Sequence, residues 1–449
     1  MILHSMALAA LVALGPKDGS PVATLPNAQK RILSIATEDA RCAALASGRF
    51  PGGDSREWRA AAPLVLRWAA TAGETGPWRI RLGTDAELAD GVDHWVFREN
   101  LPPEEGVEPP TYRFEVPRPN LELGRTYYWR VWGNVKCPMW TCGSATGPDG
   151  CACGRTGPSP CSPVASFATE DLPPRWIGLE GRTGNLRDLG GWRTEDGRRV
   201  RQGMAFRGEA MNDNSVNGEA VGRCRLMVED VAYLLDVLKI RTDLDLRTPR
   251  ELSTLGVSPL GRGVRFVRRS SQAYKALFTE EGRRAMGENF RLFCDEASYP
   301  VYFHCVGGAD RTGSLAYVLN GVLGVPPDDL EKDWESTFYP NVPRVREDEP
   351  EEYVKHGKTT DLRNVAFLRD GIMGYGGADT AFSERVALFL MDCGVSRGEI
   401  ERFRSIMLEP YTDSLRTRRL SFPIRTDEAS PPARASLRDS PSDISQLRQ

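Results

Sequence analysis

From residue 28 to 171, apolar and polar side chains take turns along short runs separated by clusters of Pro, Gly and Asn. Leu64-Val65-Leu66-Arg67-Trp68, Trp78-Arg79-Ile80-Arg81-Leu82, Tyr112-Arg113-Phe114-Glu115-Val116, Tyr127-Tyr128-Trp129-Arg130-Val131-Trp132 and Val164-Ala165-Ser166-Phe167-Ala168 carry the period of two that half-buried strands require. Strands of this kind predict an antiparallel sandwich. After a linker at Leu172-Pro173-Pro174 the pattern changes. Residues 175–411 alternate strand-like and helical runs, which predicts an α/β domain with a central, largely parallel sheet. Residues 412–449 are rich in Arg, Ser, Pro and Asp without apolar period, and read as a disordered tail.

At the other end, Met1 to Gly15 is apolar but too short to span a bilayer, and no later stretch is longer. No transmembrane segment is expected. Residues 1–27 are a candidate export leader, although no Lys or Arg precedes the apolar run. A secreted or periplasmic location is therefore favoured slightly over a cytoplasmic one.

With 449 residues there is room for two or three domains. The 58 Lys and Arg nearly balance 61 Asp and Glu, a net charge of -3 that argues against a nucleic-acid partner. Cysteine changes the picture more. Cys137, Cys142, Cys151, Cys153 and Cys161 crowd into a Gly/Pro/Ser-rich loop, residues 137–161, whose spacing does not match the paired C-x2-C of zinc sites. With Cys42 they make six, which suits three disulfides and an oxidising compartment; metal binding and free thiols are the alternatives.

Cys305 stands apart. The β-prone run Tyr299-Pro300-Val301-Tyr302-Phe303-His304 leads into it, and Val306-Gly307-Gly308-Ala309-Asp310-Arg311-Thr312-Gly313 follows. Leu315, Val318, Leu319 and Val322 then recur at helical spacing, so the order is strand, tight loop, buried helix. A loop entering a helix N-terminus aims several backbone N–H groups at one point and makes an anion site. Paired glycines let the backbone curl around that anion, and the same amides stabilise a thiolate at its mouth. Arg311 is spaced to return and fork onto two phosphate oxygens, with Thr312 placed to donate to the sulfur. This chemistry attacks a phosphomonoester through Cys305 and passes through a phosphocysteine, with no metal or cofactor. Val306, Gly307, Gly308, Ala309, Thr312 and Gly313 would line the substrate, and His304 is a neighbour of the nucleophile.

The loop H-C-x-x-G-x-D-R-T-G resembles that of bacterial and fungal tyrosine phosphatases related to dual-specificity enzymes. Asn185-Leu186-Arg187-Asp188-Leu189-Gly190-Gly191, Gly203-Met204-Ala205-Phe206-Arg207-Gly208 and Asp243-Leu244-Asp245-Leu246-Arg247 with Glu251 are similar to further motifs of that family, in its order. Ser396 to Glu399 reads as a capping box opening a terminal helix. In the first domain, Leu121-Glu122-Leu123-Gly124-Arg125-Thr126-Tyr127-Tyr128-Trp129-Arg130-Val131 resembles a late strand of fibronectin type III domains. Such domains position or bind something, here an unknown protein or surface ligand.

Phosphoryl transfer needs an acid for the leaving oxygen and a base for water. Residues 262–278 hold no Asp or Glu, so the resemblance points to Asp310 within the loop, against a purely structural hydrogen bond. Asp245 and Arg207 are the reserve candidates, while Arg187 with Asp188 reads as a buried pair. Ala309 stands where many relatives carry a lysine that suits phosphoinositide heads. Phosphotyrosine protein is therefore the first substrate expectation, with phosphoserine, phosphothreonine or a small phosphoester beside it. Phosphoinositide is the second; residues 241–275 carry eight Lys/Arg against three Asp/Glu, a local positive field that suits any phosphorylated substrate. A silent phosphoprotein-binding module and a rhodanese-type sulfur transferase are the rivals; intact Cys305 and Arg311, and the R-T-G ending, weigh against them. Oxidation would threaten Cys305 outside the cell, which makes Cys224, Cys294 and Cys393 its candidate partners.

Overall fold

The computed structural model describes residues 12–14, 21–37, 40–41, 43–44, 58–70, 76–97, 101–133, 161–181, 183–212, 224–251, 256–339 and 364–411. The N-terminal strands that alternate in sequence bury one face each. β1 (Val12–Leu14), β2 (Leu64–Ala69) and β5 (Thr111–Val116) form one antiparallel sheet in the order β1-β2-β5. β3 (Trp78–Gly83), β4 (Val92–Val96), β6 (Thr126–Trp132) and β7 (Ala165–Ala168) form another, in the order β4-β3-β6-β7. The two sheets share a single core in which Trp68, Trp78 and Trp129 are fully buried. The Trp78 ring lies 5.6 Å from Trp68 and 4.4 Å from Tyr112, so aromatic edges and faces fill the space between the sheets. β4 escapes a pattern search because it is an edge strand with Val92 exposed. β1 lies within the apolar leader segment, yet Val12 pairs with Ala69 in this sheet.

The C-terminal sheet follows the order β11-β10-β12-β9-β8: Arg265–Arg268, Thr242–Asp245, Val301–His304, Ala205–Gly208 and Arg187–Asp188. Its strands run parallel except β8, which pairs antiparallel to β9. β12 is central and buried along its whole length, which is why Val301-Tyr302-Phe303 reads as a continuous apolar run. The α-helices are α1 (Asn27–Leu33), α2 (Val228–Ala232), α3 (Glu280–Phe293), α4 (Arg311–Leu323), α5 (Pro327–Ser336), α6 (Asn364–Met373), α7 (Phe382–Asp392) and α8 (Arg397–Met407), with a π-helical turn at Tyr233–Val237 and 3₁₀ turns at Tyr274–Phe278 and Glu296–Ser298. α4 is buried from Thr312 to Leu323 and stops at Gly324, whose φ of 96° suits the left-handed cap. The capping box at α8 forms: Ser396 accepts from the Glu399 amide, and Glu399 accepts from that of Ser396.

Residues up to Glu409 form one compact unit, and Pro410–Gln449 cluster separately. The stretch expected as a free linker is clamped on both sides. Asp171 accepts from Arg193 at 2.6 Å and Arg199 at 2.7 Å, and Arg175 donates to Asp188 at 2.7 Å and to Asn120. Near the N-terminus, buried Arg41 donates to both oxygens of Glu335 on α5, at 2.7 and 3.0 Å.

The cysteine expectations need correction. Cys161 is exposed beside Trp132 and carries a free thiol, so the disulfide expected for it is not formed. Cys42, Cys137, Cys142, Cys151 and Cys153, and the expected tail 412–449, lie outside the described residues. Cys224, Cys294, Cys305 and Cys393 are free thiols as well, and burial pushes those of Cys294 and Cys393 up to about 12. None is joined to Cys305.

The Arg41–Glu335 pair yields a stability prediction. Glu335→Ala leaves a guanidinium buried without its carboxylate, and unfolding in urea is expected to show a loss of about 3–5 kcal/mol. A change near zero would mean that Arg41 reaches water without that partner.

Candidate active site

The loop after β12 turns so tightly because its backbone is gripped from three directions. The Ala210 amide donates to the Val306 carbonyl at 3.0 Å, Asn185 Nδ2 to Gly307 O at 3.0 Å, and Arg207 Nη2 to Gly308 O at 2.9 Å. Gly308 takes φ 65°, and a Cβ there would fall 2.4 Å from the Gly208 carbonyl, so only glycine fits. Cys305 opens the loop and is buried, at 2% exposure.

Two arginines beneath the loop share one carboxylate. Asp333 on α5 accepts from Arg187 Nε at 2.8 Å and from Arg207 Nη1 at 2.6 Å. Arg187 spends its other donors on Asn185, Thr337 and the Asp333 carbonyl. Burial would raise the Asp333 carboxyl, but Arg187 and Arg207 outweigh it and hold it below its ordinary range. Burial and the neighbouring Arg187 charge bring Arg207 down to about 10, while Asp333 and a Cys305 thiolate act in the opposite sense. Arg207 is thus a buried support that also interacts electrostatically with Cys305. Arg187 and Asp188, expected to pair with each other, do not; Asp188 belongs to Arg175.

His304 sits between two buried acids. Its Nε2 lies 3.1 Å from Asp243 Oδ1 and its Nδ1 3.1 Å from the Cys305 carbonyl. Burial alone would lower the imidazole, yet Asp245 and Asp243 together raise it to about 9. Both ring nitrogens then carry protons and donate. Asp245 is bound to Arg247 through Nε at 2.9 Å and Nη2 at 2.6 Å. Despite its burial, His304 and Arg247 hold its carboxyl low, which suits a counter-ion.

At the mouth, Arg311 meets Glu251. Its Nη1 and Nη2 donate to the two carboxylate oxygens at 2.6 and 2.8 Å. Glu251 also accepts from the amide and hydroxyl of Thr248, and Arg311 and Thr248 together bring it down to about 2 against its partial burial. Glu251 takes one N–H from each terminal nitrogen and leaves the side of the fork that includes Nε for an oxyanion. Asp310 accepts from the Tyr274 hydroxyl at 2.6 Å. Thr312 is fully buried, and its hydroxyl has no hydrogen-bond partner, so the expected donation to sulfur is not made. Gly313 lets Trp334 lie close; a Cβ there would be 2.8 Å from the indole. Val306, Gly307 and Ala309 form the rest of the loop rim.

Sequence reasoning therefore brought Cys305, Asp310 and Arg311 to one loop, and the structure keeps them there. It missed Asp333, Tyr274 and Trp334. Asp333 lies in a charged helical stretch like any solvated face, and Tyr274 carries no motif. Glu251 was legible only as a residue of the D-L-R segment.

A family model described as "Tyrosine phosphatase family" matches residues 179–409, just over half of the chain. Among solved structures, the chain is similar to the core catalytic domain of the PP-IP phosphatase SIW14 from S. cerevisiae in complex with citrate. Identity there is 13%, coverage is 39% of this chain and 92% of that one, and the TM-score is 0.23. A second structure, the Siw14 catalytic core, shows 14% identity over 29% of this chain and 83% of its own, with a TM-score of 0.22. No curated protein matches the chain.

The His304 site predicts a pH dependence of stability. Its folded value near 9 lies above the ordinary 6.5, so its contribution is complete below about pH 6.5 and is lost as pH rises through about 9. Urea unfolding is expected to show a decline on the order of a few kcal/mol across that window, reduced in His304→Gln. An equal decline in both proteins would locate the effect elsewhere.

Proposed function

The chain belongs to the tyrosine phosphatase family, and from that premise we propose that it is a cysteine-dependent phosphomonoester hydrolase acting first on phosphotyrosine. One observation carries the reading: a buried strand and a buried helix deliver Cys305, Asp310 and Arg311 to a single glycine-bent loop at a helix N-terminus.

In this mechanism the phosphate sits on the loop amides and on the open side of the Arg311 fork. The Cys305 thiolate attacks phosphorus in line, forming the S–P bond as the ester P–O bond breaks. Asp310 gives its proton to the departing oxygen. It then takes one from the water that attacks the phosphocysteine, and the thiolate leaves. Charge on the transferring phosphoryl group is answered by Arg311 and by amides already fixed in place, so little reorganisation is needed. His304, held as a cation by two buried carboxylates, adds positive charge behind the nucleophile.

Substrate choice rests on the rim. Ala309 supplies no charge there, which favours a phosphotyrosine side chain over a multiply phosphorylated head. Exposed Arg250, Arg262, Arg265, Arg268 and Lys275 favour a phosphoinositide as the second reading. We read residues 28–171 as a fibronectin type III-like sandwich and residues 175–411 as the catalytic domain, the sandwich serving to dock a protein or surface ligand.

Hydrolysis of p-nitrophenyl phosphate is expected, inhibited by vanadate and indifferent to EDTA. Cys305→Ser should abolish it, and Arg311→Ala should lower kcat/KM by about 10²-fold or more. Undiminished activity in Cys305→Ser would overturn the mechanism, and a parent that binds phosphopeptides without hydrolysing them would establish the silent-module alternative. Initial rates on phosphotyrosine peptides and phosphoinositide vesicles then separate the two substrate readings.

A further inference from the structure

Asp310 occupies the N-cap position of α4, where aspartate is among the residues best suited to accept from the first helical amides. It does not do so; its side chain makes no cap hydrogen bond. The carboxylate is turned instead to the Tyr274 hydroxyl, 2.6 Å from Oδ1. That phenol is in turn held by Trp334, whose Nε1–H donates to the Tyr274 oxygen at 3.1 Å, with the two rings edge-on at 6.0 Å. The phenol oxygen thus accepts from the indole while its own hydrogen is donated to Asp310.

Tyr274 is fixed from its backbone as well. Its amide donates to Ser314 Oγ at 3.1 Å, on the first turn of α4, and its φ of 52° lies in the left-handed region that non-glycine residues rarely enter. A tyrosine held there costs on the order of 1–3 kcal/mol and persists only where its surroundings over-determine it. Burial of the ring at 6% exposure, the Ser314 contact and the Trp334 contact do that. The strain and the forgone cap converge on one carboxylate.

We propose that Tyr274, oriented by Trp334, is a positioning residue for Asp310. It pins Oδ1 and leaves Oδ2 to deliver the proton to the leaving oxygen and to receive one from water. This rests on the acid role given to Asp310 above. Swinging back to cap α4 is the alternative conformation open to the side chain, and the Tyr274 hydrogen bond selects against it.

An acid matters most when the leaving group is poor. The test compares kcat for phenyl phosphate, a poor leaving group, with kcat for p-nitrophenyl phosphate, a good one, in the full-length chain. Asp310→Asn, Tyr274→Phe and Trp334→Phe are measured beside the parent. Tyr274→Phe is expected to lose about tenfold or more on phenyl phosphate, part of the 10²–10⁴-fold that general acid catalysis contributes, and under about threefold on p-nitrophenyl phosphate. Trp334→Phe should show the same bias more weakly. Tyr274→Phe added to Asp310→Asn should cost nothing further, because the two act as one unit. Equal losses on both esters in Tyr274→Phe, with Asp310→Asn still selective for the poor leaving group, would reduce Tyr274 to a packing residue and overturn this proposal alone. If Asp310→Asn itself shows no leaving-group bias, the acid assignment falls and the Tyr274 role falls with it.

Discussion

One buried carboxylate carries the catalytic loop. Asp333 lies between Arg187 and Arg207, both almost without exposure, and neither guanidinium would stay out of water without it. The arrangement is costly in desolvation, and the remaining donors of Arg187 are used, while Arg207 Nε has no hydrogen-bond partner. Arg207 reaches the Gly308 carbonyl, and Arg187 reaches Asn185, which reaches the Gly307 carbonyl. Helix α5 thereby fixes the curvature of a loop that precedes it in the chain. The same helix carries Glu335, where the N-terminal Arg41 is bound, so the first segment of the chain and the loop are braced by one element.

Around the loop, cations are answered by specific carboxylates rather than by a general field. Glu251 holds Arg311, Asp243 and Asp245 hold His304, and Asp333 holds Arg207. Asp310 differs in that its hydrogen bond comes from a neutral donor, the Tyr274 hydroxyl, although the Arg311 charge acts on it too. The others, tied to permanent or near-permanent cations, act as counter-ions.

Much of the fold was legible where burial is periodic. β2, β3, β5, β6 and β7 follow their alternation because one face meets the shared aromatic core, and β12 and α4 follow theirs because they are buried all round. β1 and β4 were not legible: edge strands with exposed side chains owe their conformation to a neighbour's hydrogen bonds, not to a burial period. The pairing of Arg187 with Asp188 was misread for a geometric reason. Adjacent residues of a strand point to opposite faces, so Arg187 meets α5 while Asp188 meets Arg175.

The sequence by itself determined the chemistry of the loop. Cys305, the paired glycines, Asp310, Arg311 and the following apolar helix lie within one short segment, and a strand–turn–helix order aims its own amides at one point. Only the tertiary structure decided which groups hold that loop. Asp333, Glu251, Tyr274 and Trp334 come from segments distant along the chain, and their side chains act through charge and direction that no local period records. The reason is physical. Local sequence sets which backbone conformations are cheap, whereas the partner of a buried charge is chosen by whichever residue the packing brings within hydrogen-bond reach.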